Sequence, residues 1–241
     1  VTAEEVGNYA LAVKVGLGAG LVTTAVQMAF NPFSMAVRAH REASAFYAEA
    51  FLYTMFVLGS MVMLIVANLA PLVRLLGGSA YEGAVVPAAI LLAGQCFLSA
   101  FTFLATGSNI RKKTVYHLYA QCVALACCVG LCALLVPRFG PPGAAGAVAC
   151  ACAALALTAG LLSQRVHPIP YPWGRALRGA GVMLAVVLAL TLWRGESWGG
   201  SGTANLAACA GVFLLSRMML RAEERQRLLG FLRTALQGRG G

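Results

Sequence analysis

Few residues in this sequence offer chemistry that hydrocarbon does not, and their types narrow what the chain can do. The acids are Glu4, Glu5, Glu42, Glu49, Glu82, Glu196, Glu223 and Glu224, with no aspartate at all. General acid–base or two-metal catalysis needs carboxylates that converge on one point, whereas these lie outside the apolar runs or at their ends. His40 and His167 fall in polar connectors, and His117 sits one turn into an apolar run. Cys96, Cys122, Cys127, Cys128, Cys132, Cys150, Cys152 and Cys209 are all inside apolar runs, where cysteine packs as a small, weakly polar residue. Cys150 and Cys152 would point roughly 200° apart on a helix, and no cysteine pair has histidine at metal-ligand spacing. Neither a disulfide framework nor a zinc site is expected. The sequence predicts no catalytic residue, no metal and no cofactor, and hence a protein that is not an enzyme.

What remains is a set of polar side chains in apolar surroundings. Lys14 stands within "YALAVKVGLGAG", Tyr9 to Gly20, and the apolar run continues to Phe30. Downstream on a helix, Gly16, Gly20, Thr23, Gln27 and Asn31 share one face at spacings of three and four, a small-residue packing stripe ending in two amides. At about 100° per residue Lys14 lies about 140° from Gln27, near Gly18, Leu21 and Ala25. Gln95 and Gln121 add amides in two later runs, Gln121 on a stripe with His117, Cys128 and Cys132. A polar group in hydrocarbon faces protein or water. The amides thus either bond between helices or line a polar cavity. Lys14 either extends its stem to the membrane surface or meets an anion in a water-filled cavity.

Composition demands the elements that position these groups. Of 241 residues 60% are hydrophobic and 11% charged, and the mean hydropathy of +0.78 exceeds what a soluble domain carries. A bilayer core of about 30 Å needs roughly 20 apolar helical residues. Seven such spans are predicted, over 9–30, 50–69, 84–106, 115–136, 144–162, 176–193 and 204–220. The fold class is therefore an all-α integral membrane protein. Turns are expected at "NPF", "APLVRLLGGSAYE", "GSNIRKK", "PRFGPPG", "HPIPYPWG" and "RGESWGGSGT".

The net charge of +10 comes from 18 Lys and Arg against 8 acids. Its distribution follows alternate connectors. Arg38 and Arg41, then Arg111, Lys112 and Lys113, then Arg165, Arg175 and Arg178, and finally Arg217 and the arginines of the tail fall on one side. Arg74, Arg138 and Arg194 fall on the other. Basic connectors stay cytoplasmic, so the start of the chain is placed outside and the tail inside. No nucleic-acid partner is needed to account for the charge. Residues 221–241 place Leu228, Leu229, Phe231, Leu232, Ala235 and Leu236 largely on one face, as an interfacial amphipathic helix would. The chain opens on Val1 without a leader-like segment and is expected to be a piece of a longer protein.

Several segments, in order, resemble the C-terminal half of polysaccharide (O-antigen type) flippases of the multidrug/oligosaccharidyl-lipid/polysaccharide exporter superfamily. They are "EEVGNYALAVK" (4–14), "FNPF" (30–33), "APLVRLLGGSAYEGAVVP" (70–87), "RKKT" (111–114), "LLVPRFGPPGAAGA" (134–147) and "SQRVHPIPYPW" (163–173). The first is similar to the family's E-V-G-x-Y-A-x-A-x-K and the fifth to its L-I-P-x-F-G-x-x-G-A-A turn. Cys128 and Cys132 depart from the asparagines that many relatives carry before that turn. The resemblance implies the second lobe of a two-lobed exporter over 1–164, two additional helices over 165–220 and a cytoplasmic basic tail over 221–241. It also implies a first lobe outside this chain and a cavity between lobes that opens alternately to each side. The substrate would be a polyprenyl-pyrophosphate-linked saccharide moved across a bacterial inner membrane, with Lys14, Gln27, Asn31, Gln95 and Gln121 as substrate-binding residues and membrane lipids as the surrounding partner. A polytopic enzyme of polysaccharide assembly, a cation-coupled drug antiporter and a scaffold of a glycan-assembly complex are the competing classes.

Overall fold

The computed structural model describes residues 2–37, 43–110, 115–166, 169–193 and 201–219. The tail helix expected over 221–241 and the basic connectors at 38–41 and 111–113 lie outside the described residues, as do His40 and His167. Among the described residues the chain is helical throughout, in the order α1 (Ala3–Val37), α2 (Ala43–Ala67), α3 (Leu69–Gly77), a 3-10 turn (Ser79–Ala84), α4 (Val85–Leu104), α5 (Thr106–Ile110), α6 (Val115–Val166), α7 (Trp173–Trp193) and α8 (Ser201–Met219). Five helices are long and apolar enough to cross a membrane, and a shorter apolar helix runs over Thr203–Met219. Helices are the natural answer for such a sequence, since in hydrocarbon each backbone amide must find its partner within the segment.

The predicted spans correspond to α1, α2, α4, the two arms of α6, α7 and α8. α6 is 52 residues long but reverses at Gly140, whose φ of 59° is open to glycine and disfavoured for residues with a Cβ. Pro141 and Pro142 follow, at the start of the second arm, where the missing amide protons cost no helical bond. The arms then lie antiparallel. Ala120 and Ala124 of the first share a buried cluster with Leu155 and Ala159 of the second. At the tip a Cβ on Gly143 would stand 2.5 Å from the carbonyl oxygen of Leu135, so the reversal closes only on glycine.

α1 and α4 run parallel. Their contacts join residues a constant distance apart in sequence: Asn8 with Gly83, Gly16 with Leu91, Gly20 with Gln95 and Thr23 with Ser99. Small residues permit the approach, as they do on the other face of α4, where Gly94 meets the Cα of Ala149 in the second arm of α6. α7 and α8 pack on α2 in the same manner, with Gly59 against Leu215 and Met183, Gly179 against Met219, and Gly211 against Val186 and Met63.

The two ends of the bundle differ. One gathers Phe30, Tyr47, Phe51, Phe103 and Tyr171 from α1, α2, α4 and the connector into α7, with Trp173 edge-on to Tyr171 at 5.8 Å. The Gln164 side chain clasps Ile169 through both its oxygen and its nitrogen, and the Tyr171 hydroxyl donates to the Phe103 carbonyl at 2.7 Å. Burial, reinforced by Tyr47 nearby, pushes the Tyr171 phenol above its ordinary value of 10.0, so it keeps the proton it donates. The other end gathers the start of α1, α3, the hairpin tip, with Glu5 against Gly140, and a reciprocal amide pair between Asn68 and Asn205.

Three expected turns need correction, the first being "GSNIRKK", whose residues 107–110 lie in α5. "NPF" is not a turn: α1 continues through Asn31, Pro32 and Phe33 to Val37. Pro32 removes one bond, to the carbonyl of Met28, and a long apolar helix sustains that loss. Nor is "APLVRLLGGSAYE" only a turn, since it holds α3 and the 3-10 segment, ended for α3 by Gly78 at φ 79°.

Candidate functional site

The polar residues singled out in the sequence separate into two groups on α1. On the face toward α4, Thr23 and Ser99 meet hydroxyl to hydroxyl at 2.7 Å, both buried. The Ser99 hydroxyl also bonds the carbonyl of Gln95 at 2.9 Å. One turn on, Gln27 Nε2 donates to Thr102 Oγ1 at 2.6 Å, and Thr106 bonds back to the carbonyl of Thr102. Gln95 lies over Gly20, its Oε1 3.5 Å from where a Cβ would be. The stripe of Gly16, Gly20, Thr23 and Gln27 is thus a helix–helix seam in which each polar group named here has a protein partner or a glycine slot. Asn31 belongs to the same helix, and its side chain lies outside the described residues.

Among the described residues, none covers the opposite face of α1 in this way. Lys14 is exposed, and Leu17, Leu21 and Met28 show 61%, 72% and 73% of their surface. Gln121 is exposed as well, on the first arm of α6, among Leu118, Val123 and Leu125, which are also exposed. The structure therefore brings Gln27 and Gln95 together on the seam and leaves Lys14 and Gln121 on open faces. The depth of Lys14 can be gauged from its own helix. Gly7 and Leu11 touch the ledge made by Gly77 and Tyr81, so at about 1.5 Å per residue Lys14 lies about 5–10 Å beyond that ledge.

His117 of the same arm turns its ring edge-on to Phe101 of α4 at 5.9 Å. Its Nε2 is buried without a hydrogen-bond partner among the described residues.

Two features were not drawn from the sequence. Ser99, Thr102 and Thr106 complete, with Gln95, a polar stripe at spacings of three and four along α4 and into α5, a pattern legible in the sequence once helix periodicity is applied to hydroxyls as well as amides. The second is an apolar pocket of about 310 Å³ between α2, α4, the second arm of α6, α7 and α8, with Phe51, Cys96, Leu104, Trp173, Met183 and Leu215 in its wall. No single stretch of sequence carries a signal for it, because five elements far apart in the chain build it. Its walls suit hydrocarbon and offer nothing to a sugar or phosphate.

Compared with protein-family models, curated proteins and solved structures, the chain matches none.

Proposed function

We propose that this chain is one lobe of a membrane transporter that moves a polyprenyl-pyrophosphate-linked saccharide across a bacterial inner membrane by alternating access, with the start of α1 outward and the end of α8 inward. The observation that carries the proposal is the division of α1. One face is locked to α4 by matched hydroxyls and amides. The other presents Lys14, within an apolar span, on a surface that no described residue covers. A lysine in such a span is costly unless it meets water, a surface or an anion, and a diphosphate is an anion of matching kind. The six segments noted in the sequence as similar to flippases, from Glu4 onward, point the same way.

In this account Lys14 neutralises phosphate charge on the open face of α1, while Gln121 offers its amide to sugar hydroxyls from the first arm of α6. Gln27 and Gln95 act on the substrate only through the seam, by holding α1 against α4 so that both move as one body. The apolar pocket, to which α1 contributes nothing, keeps hydrocarbon apart from the charge. No covalent step is required of any residue.

Sugar-lipid analysis of a strain lacking the protein tests this. Lipid-linked repeat units accumulating on the cytoplasmic leaflet support transport. Undersized glycan with no such accumulation contradicts it and favours an enzyme of assembly.

A further inference from the structure

α3 is a short helix with two apolar sides. Leu69 and Val73 are fully buried and Ala70 nearly so, which fixes one side against the bundle. Flanking that side, Leu75 shows 82% of its surface and Leu76 58%, with Leu72 half-buried beside them. Leucines at spacings of three and four form one face, and water is a poor neighbour for it. The polar border is equally local: Arg74 bonds Glu82 of the following 3-10 turn at 2.9 Å, with both side chains about half exposed. The position in the chain supplies the partner. α3 follows at once on α2, which ends at Ala67, and leads into α4, both apolar enough to span a membrane. Its Gly77 is pressed on Leu11, near the start of α1. A segment between two spans, at their common end, with leucines outward and a self-neutralised ion pair beside them, has the form of an interfacial helix.

We infer that α3 rests in the boundary layer of the bilayer, with Leu72, Leu75 and Leu76 entering the outermost acyl region of phospholipid and the Arg74–Glu82 pair at headgroup level. The inference rests on the chain spanning a membrane, and it adds a fixed depth mark: the ledge that Gly7 and Leu11 touch becomes the membrane surface. It also assigns a partner, phospholipid, to a leucine face that the bundle leaves open.

Tryptophan quenching by brominated phosphatidylcholine tests it, with the whole chain in vesicles and the parent's signal subtracted. Leu75→Trp is expected to be quenched more by bromine near the headgroup end of the acyl chain than by bromine near its terminus. Val57→Trp, on the exposed side of α2 well inside that helix, is expected to show the reverse order. If Val57→Trp is not quenched by either lipid, the spanning of the membrane is itself overturned. If Val57→Trp behaves as expected while Leu75→Trp is unquenched, the inference about α3 falls, whether its leucines meet water or a second copy of the chain. Stronger quenching of Leu75→Trp by the deep bromine also overturns it. Should Leu75→Trp fail to fold, Leu76→Trp presents the same face and is read by the same outcomes.

Discussion

Thr23 and Ser99 share one hydrogen bond across the seam of α1 and α4, hydroxyl to hydroxyl at 2.7 Å, with a second bond from Ser99 to the Gln95 carbonyl. In hydrocarbon a hydroxyl finds no water to replace a lost partner. The pair therefore joins two helices that also meet through the Gln27–Thr102 bond and through glycines packed on Leu91 and Gln95.

Replacing Thr23 by Val and Ser99 by Ala, singly and together, is expected to show coupling of about 0.6–1.7 kcal/mol in a double-mutant cycle. Thermal unfolding in detergent measures it. Additive effects would show that the hydroxyls do not act as a pair.

At the hairpin tip, Gly143→Ala would drive a methyl into the Leu135 carbonyl, a backbone atom that cannot swing aside. The expected loss is about 1–3 kcal/mol by overpacking. Gly140→Ala places a Cβ at φ 59° and is expected to lose about 1–2 kcal/mol. Gly146→Ala, whose Cβ would meet only the end of the Leu135 side chain at 3.7 Å, is expected to change little. Melting temperatures of the three variants, compared at matched detergent, decide the order.

These sites show what the sequence made legible. Apolar length located the spans, and helical spacing put Gly16, Gly20, Thr23 and Gln27 on one face with Lys14 on the other. The structure keeps both relations, the first as the seam with α4. "NPF" misled because proline and asparagine mark a turn in water, while an apolar helix in hydrocarbon continues through a single lost bond. α3 was hidden inside a stretch rich in glycine, where the turn signals outweigh a helix of nine residues. Ser99 and Thr102 leave little trace in the sequence because a hydroxyl hardly disturbs hydropathy, though it decides pairing once two helices meet.

Tyr171→Phe removes the donor to the Phe103 carbonyl and leaves that oxygen buried. The expected loss is about 1 kcal/mol. The sign with pH follows from the raised phenol: the contribution is complete below the ordinary value of 10.0 and is lost as pH climbs through the higher folded value. Parent and Tyr171→Phe unfolding compared at neutral and strongly alkaline pH should converge at the alkaline end. A constant difference would place the effect of Tyr171 in packing alone.

The proposed transport sets an anionic substrate against the open face of α1, at Lys14. Export of lipid-linked saccharide in cells carrying Lys14→Ala, Lys14→Glu or Lys14→Arg, at matched protein levels, tests it most directly. Loss of export by at least about tenfold in the first two, the equivalent of about 1.4 kcal/mol of interaction, with partial export by Lys14→Arg, is the predicted result. Normal export by Lys14→Ala would contradict it and leave Lys14 reaching for the headgroups.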